Sequence, residues 1–205
     1  MLVQYSTVVE ELENEICVKK SRFIANLFFI NSETEFQEKI NYIKKKYRDA
    51  KHHVFAFRLA DGTERYSDDG EPSGTAGVPM LDILRGAKLF NVLVIVTRYF
   101  GGTLLGTGGL VRAYGDATKL VLDGAKTQEK FLASEYKIEV PYNNYNSIVY
   151  YCSKNNIRIT DSSFLDTITI NIILKYNDEE KTLQDLNEMF DGKLNITRVR
   201  QEFYI

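Results

Sequence analysis

The chain has 205 residues, of which 44% are hydrophobic and 26% charged, an ordinary composition for one large or two small folded domains. Its net charge of −2 excludes the broad basic field of a general nucleic-acid binder and is too small to indicate disorder. The sequence shows no apolar run of membrane-spanning length, no signal-peptide pattern and only two cysteines. We therefore expect a cytoplasmic protein without membrane association.

The first part of the chain predicts an α+β domain that ends near Ala133. Alternating or β-branched apolar runs predict four strands, at residues 15–18, 23–30, 53–59 and 91–98. A first helix is predicted to begin at Ser32, where S-E-T-E has the pattern of a capping box. A second begins near Pro79, and a third covers residues 109–123 with apolar side chains along one face.

The last part of the chain predicts a second, smaller domain with alternating strands and helices. Its predicted elements cover residues 135–140, 142–154, 157–160, 166–175, 179–190 and 194–203. The order is strand, helix, strand, strand, helix, strand, which is the ferredoxin-like βαββαβ pattern. The predicted domains are thus residues 1–133 and 134–205 of an α+β protein.

A glycine-rich stretch at residues 98–114, R-Y-F-G-G-T-L-L-G-T-G-G-L-V-R-A-Y, lies between a predicted strand and a predicted helix. This arrangement presents backbone N–H groups to an anion. A P-loop is excluded because Thr107 stands where lysine is required, and the dinucleotide fingerprint fails at Val111. Two interpretations remain open: a generic anion site flanked by Arg98 and Arg112, or glycines that merely let a strand and a helix pack closely.

A second glycine-containing loop, D-D-G-E-P-S-G-T-A-G at residues 68–77, also precedes a predicted helix, and Ser73 or Thr75 can cap that helix. The loop's acids can bind Mg²⁺, pair with the arginines, or serve as surface turn charge, which we favour. His52 and His53 are adjacent in a predicted strand and face opposite sides, so no metal site is expected, although one of them can act as a general base.

Two basic stretches have simpler interpretations. K-K-S-R-F at residues 19–23 can line a groove for a phosphate backbone, but we favour a solvated strand end. The cations of residues 44–48 lie at a predicted helix C-terminus, where the helix dipole already favours positive charge.

Four motifs occur in order over residues 19–116: K-K-S-R-F-I-A, H-H-V-F-A-F-R, S-D-D-G-E-P-S-G-T-A-G-V-P and the glycine-rich stretch. On these motifs the chain resembles the YigZ/Impact family. The resemblance implies an N-terminal domain similar to the second domain of ribosomal protein S5 and to part of elongation factor G. It implies a C-terminal domain similar to the ferredoxin-like fifth domain of elongation factor G. Eukaryotic members act in translational control through an additional domain, so we do not carry their regulatory role over.

Together the motifs and the glycine-loop argument give a set of candidate anion- or nucleic-acid-binding residues: Lys20, Ser21, Arg22, His52, Gly74, Thr75, Gly77, Arg98, Gly101, Gly102, Gly106, Gly109 and Arg112. The candidate acidic partners are Asp68, Asp69 and Glu71. No residue is assigned a catalytic role.

Three classes of function remain. We favour a non-enzymatic RNA- or ribosome-binding protein with a role in translation or its regulation, which uses the glycine-rich anion cleft. No cofactor is expected for this function. The first alternative is an enzyme that acts on a phosphorylated small molecule with Mg²⁺ as its cofactor, while His52 moves a proton. The second alternative is a protein-interaction module that uses the C-terminal sheet or an aromatic patch.

Overall fold

In a computed structural model, which describes residues 2–205, the chain is an α+β protein of two compact units. The first unit ends at Glu129 and the second is Lys130–Ile205. The strands are β1 (Gln4–Val8), β2 (Leu12–Val18), β3 (Ser21–Phe29), β4 (His52–Arg58), β5 (Glu64–Ser67), β6 (Val92–Tyr99), β7 (Thr127–Val140), β8 (Arg158–Phe164), β9 (Ile168–Lys175) and β10 (Asn195–Tyr204). The helices are α1 (Glu33–Lys46), α2 (Gly77–Gly86), α3 (Thr107–Asp123), α4 (Tyr145–Lys154) and α5 (Tyr176–Met189). None of these helices is long and apolar enough to cross a membrane.

The first unit is built on an antiparallel sheet with the strand order β2-β3-β6-β4-β5. The central strand β6 is apolar at nearly every position because both of its faces are covered. Val92, Val94 and Val96 pack in one core with α2 and α3. Leu93 and Ile95 point to the other face and pack with α1.

The predicted start of α1 is confirmed by its cap. Ser32 is the N-cap residue, and its hydroxyl accepts a hydrogen bond from the Glu35 N–H at 3.2 Å. The Glu35 carboxylate reaches back to the N–H of Asn31 at 2.9 Å. The first contact satisfies a backbone donor that the first helical turn leaves unpaired, and the second satisfies the N–H of the residue before the N-cap.

A tight turn joins β2 to β3 at the end of the sheet where β4 begins and β6 ends. Val18 pairs with Ser21, so only Lys19 and Lys20 form the turn. Both lysines have positive φ, 47° and 67°, as a type I′ turn requires. That conformation usually selects Asn or Gly. The turn therefore holds two exposed lysines in a backbone geometry that such side chains rarely adopt.

The second unit contains β7, α4, β8, β9, α5 and β10, the element order predicted for it. Its four strands pair antiparallel in the order β10-β7-β9-β8. Alternate residues of β9 pack in a core that also includes Ile148 of α4 and Leu186 of α5. Cys152 lies in the same core, and burial raises the pKa of its thiol to about 11.

Several elements differ in extent from the predicted ones. Strands β1 and β5 were not predicted, because both are short and mix polar with apolar residues. β7 begins at Thr127 and is continuous through Ala133, so the boundary predicted there falls inside a strand. The predicted helix 142–154 begins as a short 3₁₀ turn at Tyr142–Asn144 before α4.

Candidate functional site at one end of the first sheet

The four sequence motifs come together at one end of the first unit's sheet. Arg22 at the start of β3 pairs with Tyr99 at the end of β6. His52 at the start of β4 pairs with Arg98 on the other side of β6. Because β3 and β4 both run antiparallel to β6, their first residues meet the last residues of β6 and the glycine loop that follows.

Arg98 is the buried counter-ion of Glu71. Its Nη1 atom donates to the two carboxylate oxygens of Glu71 at 2.7 and 3.0 Å, and the two side chains are only 7% and 4% exposed. The Tyr114 hydroxyl donates to the same carboxylate at 2.8 Å. Burial, followed by the negative charge of Glu71, raises the pKa of Tyr114 far above its usual value. Arg98 therefore reaches an external anion only if Glu71 is displaced.

The second glycine loop is closed by its own aspartate. The Asp68 carboxylate accepts hydrogen bonds from the N–H groups of Gly74, Ala76 and Gly77 at 2.9, 3.0 and 2.8 Å. The prediction that Ser73 or Thr75 caps α2 is wrong, because the Thr75 hydroxyl donates to the Pro72 carbonyl instead. The negative charge that the start of α2 favours is thus supplied from within the chain. The N–H groups of residues 74, 76 and 77 are therefore not available to an external anion.

The two histidines face different partners, as their alternation in a strand predicts. The His52 Nδ1 atom lies 2.8 Å from the Asp69 carbonyl oxygen, which only accepts, so Nδ1 carries the proton of the neutral ring. His53 Nδ1 lies 3.1 Å from the Thr97 hydroxyl, and burial lowers the pKa of His53. The Asp69 carboxylate accepts from the His53 N–H at 2.6 Å. Among residues 2–205 no three His, Cys, Asp or Glu side chains are grouped to hold a metal ion.

The N-terminus of α3, in contrast, is open. Its N-cap residue is Gly106, with φ +73°, and it provides no side-chain cap. The N–H groups of Thr107, Gly108 and Gly109 find no acceptor within the described chain, and the first turn holds no acid. Three unpaired donors at the positive end of a helix make a geometry suited to an anion.

Gly101 fixes the glycine loop against the lysine turn. A Cβ atom at Gly101 would lie 2.0 Å from the carbonyl carbon of Lys20, so only glycine fits. The Gly101 N–H donates to the Ser21 hydroxyl at 3.0 Å. The two interpretations of the glycines thus apply to different residues: Gly101 permits close packing, whereas Gly106 opens a helix terminus.

A cavity of about 390 Å³ connects the lysine turn with the start of α3. Its lining residues are Val18, Lys19, Leu105, Gly109, Arg112, Ala113 and Asp116. Arg112 is exposed, and its Nε atom donates to the Gly108 carbonyl at 3.2 Å. Arg112 and the two lysines form no ion pair with any of residues 2–205. Lys19, Lys20, residues 100–109 and Arg112 together are called the glycine-loop surface below.

The remaining predicted residues lie beside this surface or inside the fold. Arg22 is held by Glu15, with Nε and Oε1 2.7 Å apart, and its guanidinium lies over the Tyr99 ring. Phe100 is a motif position that was not among the candidate binding residues, and Leu104 was not singled out from the sequence; these side chains are 56% and 83% exposed within the glycine loop. The signal available in the sequence was the presence of two large apolar side chains in a glycine-rich loop.

Comparison with known proteins gives a family for this geometry. The Impact N-terminal domain matches residues 19–122, and a domain of unknown function, DUF1949, matches residues 138–193. The chain belongs to the IMPACT family. It is 34% identical to the IMPACT family member YvyE of Bacillus subtilis, over 96% of this chain and 91% of that protein. It is 32% identical to the IMPACT family member YigZ of Escherichia coli, over 95% of both chains.

Other IMPACT relatives match a smaller part of the chain. A protein IMPACT homolog of Dictyostelium discoideum is 42% identical, over 43% of this chain and 27% of its own length.

A solved crystal structure of a hypothetical protein is 28% identical and has a TM-score of 0.67, covering 98% of this chain and all of its own. The two-unit α+β fold is therefore shared along the whole chain.

Proposed function

We propose that this IMPACT family protein binds RNA through the glycine-loop surface, without catalysis, and acts in translation or its regulation. One observation carries the proposal: the open N-terminus of α3 lies beside cations that have no acidic partner. At the family level, membership supports a link to translational regulation.

The surface has the two components that phosphate binding requires. The N–H groups at residues 107–109 donate along the helix dipole toward the position of a phosphate oxygen. Lys19, Lys20 and Arg112 add positive charge, and arginine can contact a phosphate with two donors at once. Because the whole chain carries a net charge of −2, binding depends on this local cluster rather than on a general field.

The architecture agrees with a translation-related role. We assign the first unit to the fold of the second domain of ribosomal protein S5 and elongation factor G. We assign the second unit to the ferredoxin-like fold of the fifth domain of elongation factor G. In support, the second unit's strands stand in the sheet in the order fourth, first, third, second. Because a fold does not determine a function, the proposal of RNA binding rests mainly on the site.

The proposal is tested by RNA binding across a salt series. Each lost phosphate contact lowers the slope of log K against log salt concentration by about 0.7 for single strands. The double variant Lys19→Gln/Lys20→Gln should bind more weakly and with a smaller slope. Lys88→Gln is the matched control, since Lys88 also has positive φ, 55°, but lies with Arg58 at the opposite end of the sheet. Absent or salt-independent binding by the unaltered protein would overturn the proposal.

One observation favours a second candidate, the protein-interaction module. In the second unit, Tyr142, Phe164 and Leu165 are 58%, 54% and 76% exposed. The Tyr142 hydroxyl donates to the Leu165 carbonyl at 2.7 Å, which holds these side chains together at the turn between β8 and β9. Affinity purification after nuclease treatment tests this candidate: a partner that Phe164→Ala releases would support it.

A further inference from the structure

We propose that the glycine-loop surface takes single-stranded RNA and that Phe100 is the ring on which one base stacks. This inference deepens the proposed function and rests on it. It gives a role to Phe100, the largest exposed side chain of the loop. Phosphate binding alone does not require an aromatic ring at this position.

Phe100 lies in the loop that connects β6 to the open N-terminus of α3. It immediately precedes Gly101, whose backbone is packed against Lys20 and Ser21. The ring is 56% exposed, and Leu104 in the same loop is 83% exposed. Two exposed apolar side chains in the loop that leads to the free N–H groups of α3 match a ligand that has both charged and flat apolar parts. A single-stranded nucleic acid is such a ligand.

The Phe100 ring is held in place from within the protein. The Arg98 guanidinium lies 5.7 Å from the centre of the Phe100 ring and 5.4 Å from that of Phe23. Arg98 is itself fixed by Glu71 and buried. The buried ion pair, which takes no part in external anion binding, thus supports an exposed aromatic ring. A ring that is ordered before binding loses little entropy when a base stacks on it.

The neighbouring backbone is fixed as well. The Tyr99 hydroxyl donates to Asp49 at 2.7 Å, on the chain that leads from α1 to β4. On the other side, the Gly101 N–H is held by Ser21. Phe100 therefore stands between two anchored residues, unlike an apolar side chain on a free loop.

The geometry favours a single strand over a duplex. In a duplex each base is already stacked within the helix, so its flat face is not available to Phe100. In a single strand the faces are accessible, and stacking on an aromatic side chain tolerates any base. The inferred ligand is thus an unpaired RNA segment, bound with little preference for sequence.

The test separates stacking from charge. Binding of a short unstructured RNA and of the corresponding duplex is measured by fluorescence anisotropy across a salt series. Phe100→Ala should weaken single-strand binding by between about 5-fold and 150-fold while leaving the salt slope unchanged. Phe100→Tyr should restore affinity, because it keeps the ring. Phe100→Leu, which keeps apolar bulk without the ring, should not restore it.

Phe164→Ala is the matched control, because Phe164 is 54% exposed but lies in the second unit. It should leave RNA binding unchanged. If Phe100→Ala and Phe100→Leu bind as the unaltered protein does while the lysine variant is weakened, the stacking inference fails and the proposed function stands. Equal affinity for the duplex would overturn it too. If the unaltered protein binds no RNA, both proposals fail together.

Discussion

At the scale of single residues, the two arginines that flank the glycine loop have opposite roles. In the sequence Arg98 and Arg112 look equivalent, and both are candidate anion ligands. In the structure Arg98 is 7% exposed and paired with Glu71, whereas Arg112 is exposed without an acidic partner. The difference arises from Glu71, which lies 27 residues away in sequence and was itself expected to be surface charge.

This contrast predicts different effects of removing each arginine. Arg98→Ala leaves the Glu71 carboxylate buried without its counter-ion and should lower the free energy of unfolding by about 3–5 kcal/mol. Arg112→Ala should change it by less than about 0.5 kcal/mol while weakening RNA binding. Urea denaturation followed by circular dichroism measures both. Equal stability losses would show that Arg112 is also structural.

The pKa of His53 predicts a dependence of stability on pH. Burial lowers that pKa below the usual value of about 6.5, so the unfolded chain binds the proton more readily than the folded one. The free energy of unfolding should therefore fall as pH drops through about 6.5 toward the lower pKa of the folded state. His53→Gln should show a smaller fall over the same range in urea denaturation. An identical fall in the variant would assign the effect to other groups.

At the scale of elements, two glycines of the glycine-rich stretch, one in the loop and one in α3, differ in whether they tolerate a side chain. Gly101→Ala places a Cβ atom 2.0 Å from the Lys20 backbone and should cost at least about 2 kcal/mol, because the lysine turn cannot retreat without breaking its strand pairing. At Gly108 the nearest atom is Arg112 Nη2 at 4.0 Å, so Gly108→Ala should be neutral or stabilise α3 by up to about 1 kcal/mol. Thermal denaturation of the pair tests this, and a similar loss in both would contradict it.

Local patterns in the sequence predict most of the elements but only part of the site. The capping box at Ser32 and the apolar run of β6 depend only on residues that are close in the chain, so both can be predicted from the sequence. The carboxylate of Asp68 caps α2 from outside the helix, and it displaces the local candidates Ser73 and Thr75. Contacts of this kind, from a loop side chain to N–H groups six to nine residues further along the chain, decide which helix terminus is closed. No spacing rule in the sequence predicts them.

At the scale of the whole molecule, the two units can be observed separately through the two cysteines. Cys17 is exposed in the first unit, and Cys152 is fully buried in the core of the second. Because the thiolate is the reactive form, the raised pKa of Cys152, about 11, slows its reaction further. A thiol reagent should label Cys17 quickly in the native protein and Cys152 only on unfolding. Rapid labelling of both under native conditions would contradict the packing of the second unit.

The net charge of the whole chain also determines how strongly RNA binding should depend on salt. A chain of net charge −2 that binds RNA through one small surface should show a modest salt slope, with contacts confined to that surface. The open N-terminus of α3 and the cations beside it both lie in the first unit.

The most direct test of the central claim is an NMR titration of the labelled protein with a short unstructured RNA. We expect the amide signals of Thr107, Gly108 and Gly109 to shift, together with those of the Lys19–Lys20 turn. The amides of Gly74 and Gly77, which donate to Asp68, should remain unchanged. Shifts confined to Gly74 and Gly77 or to the second unit, or no shifts at saturating RNA, would contradict it.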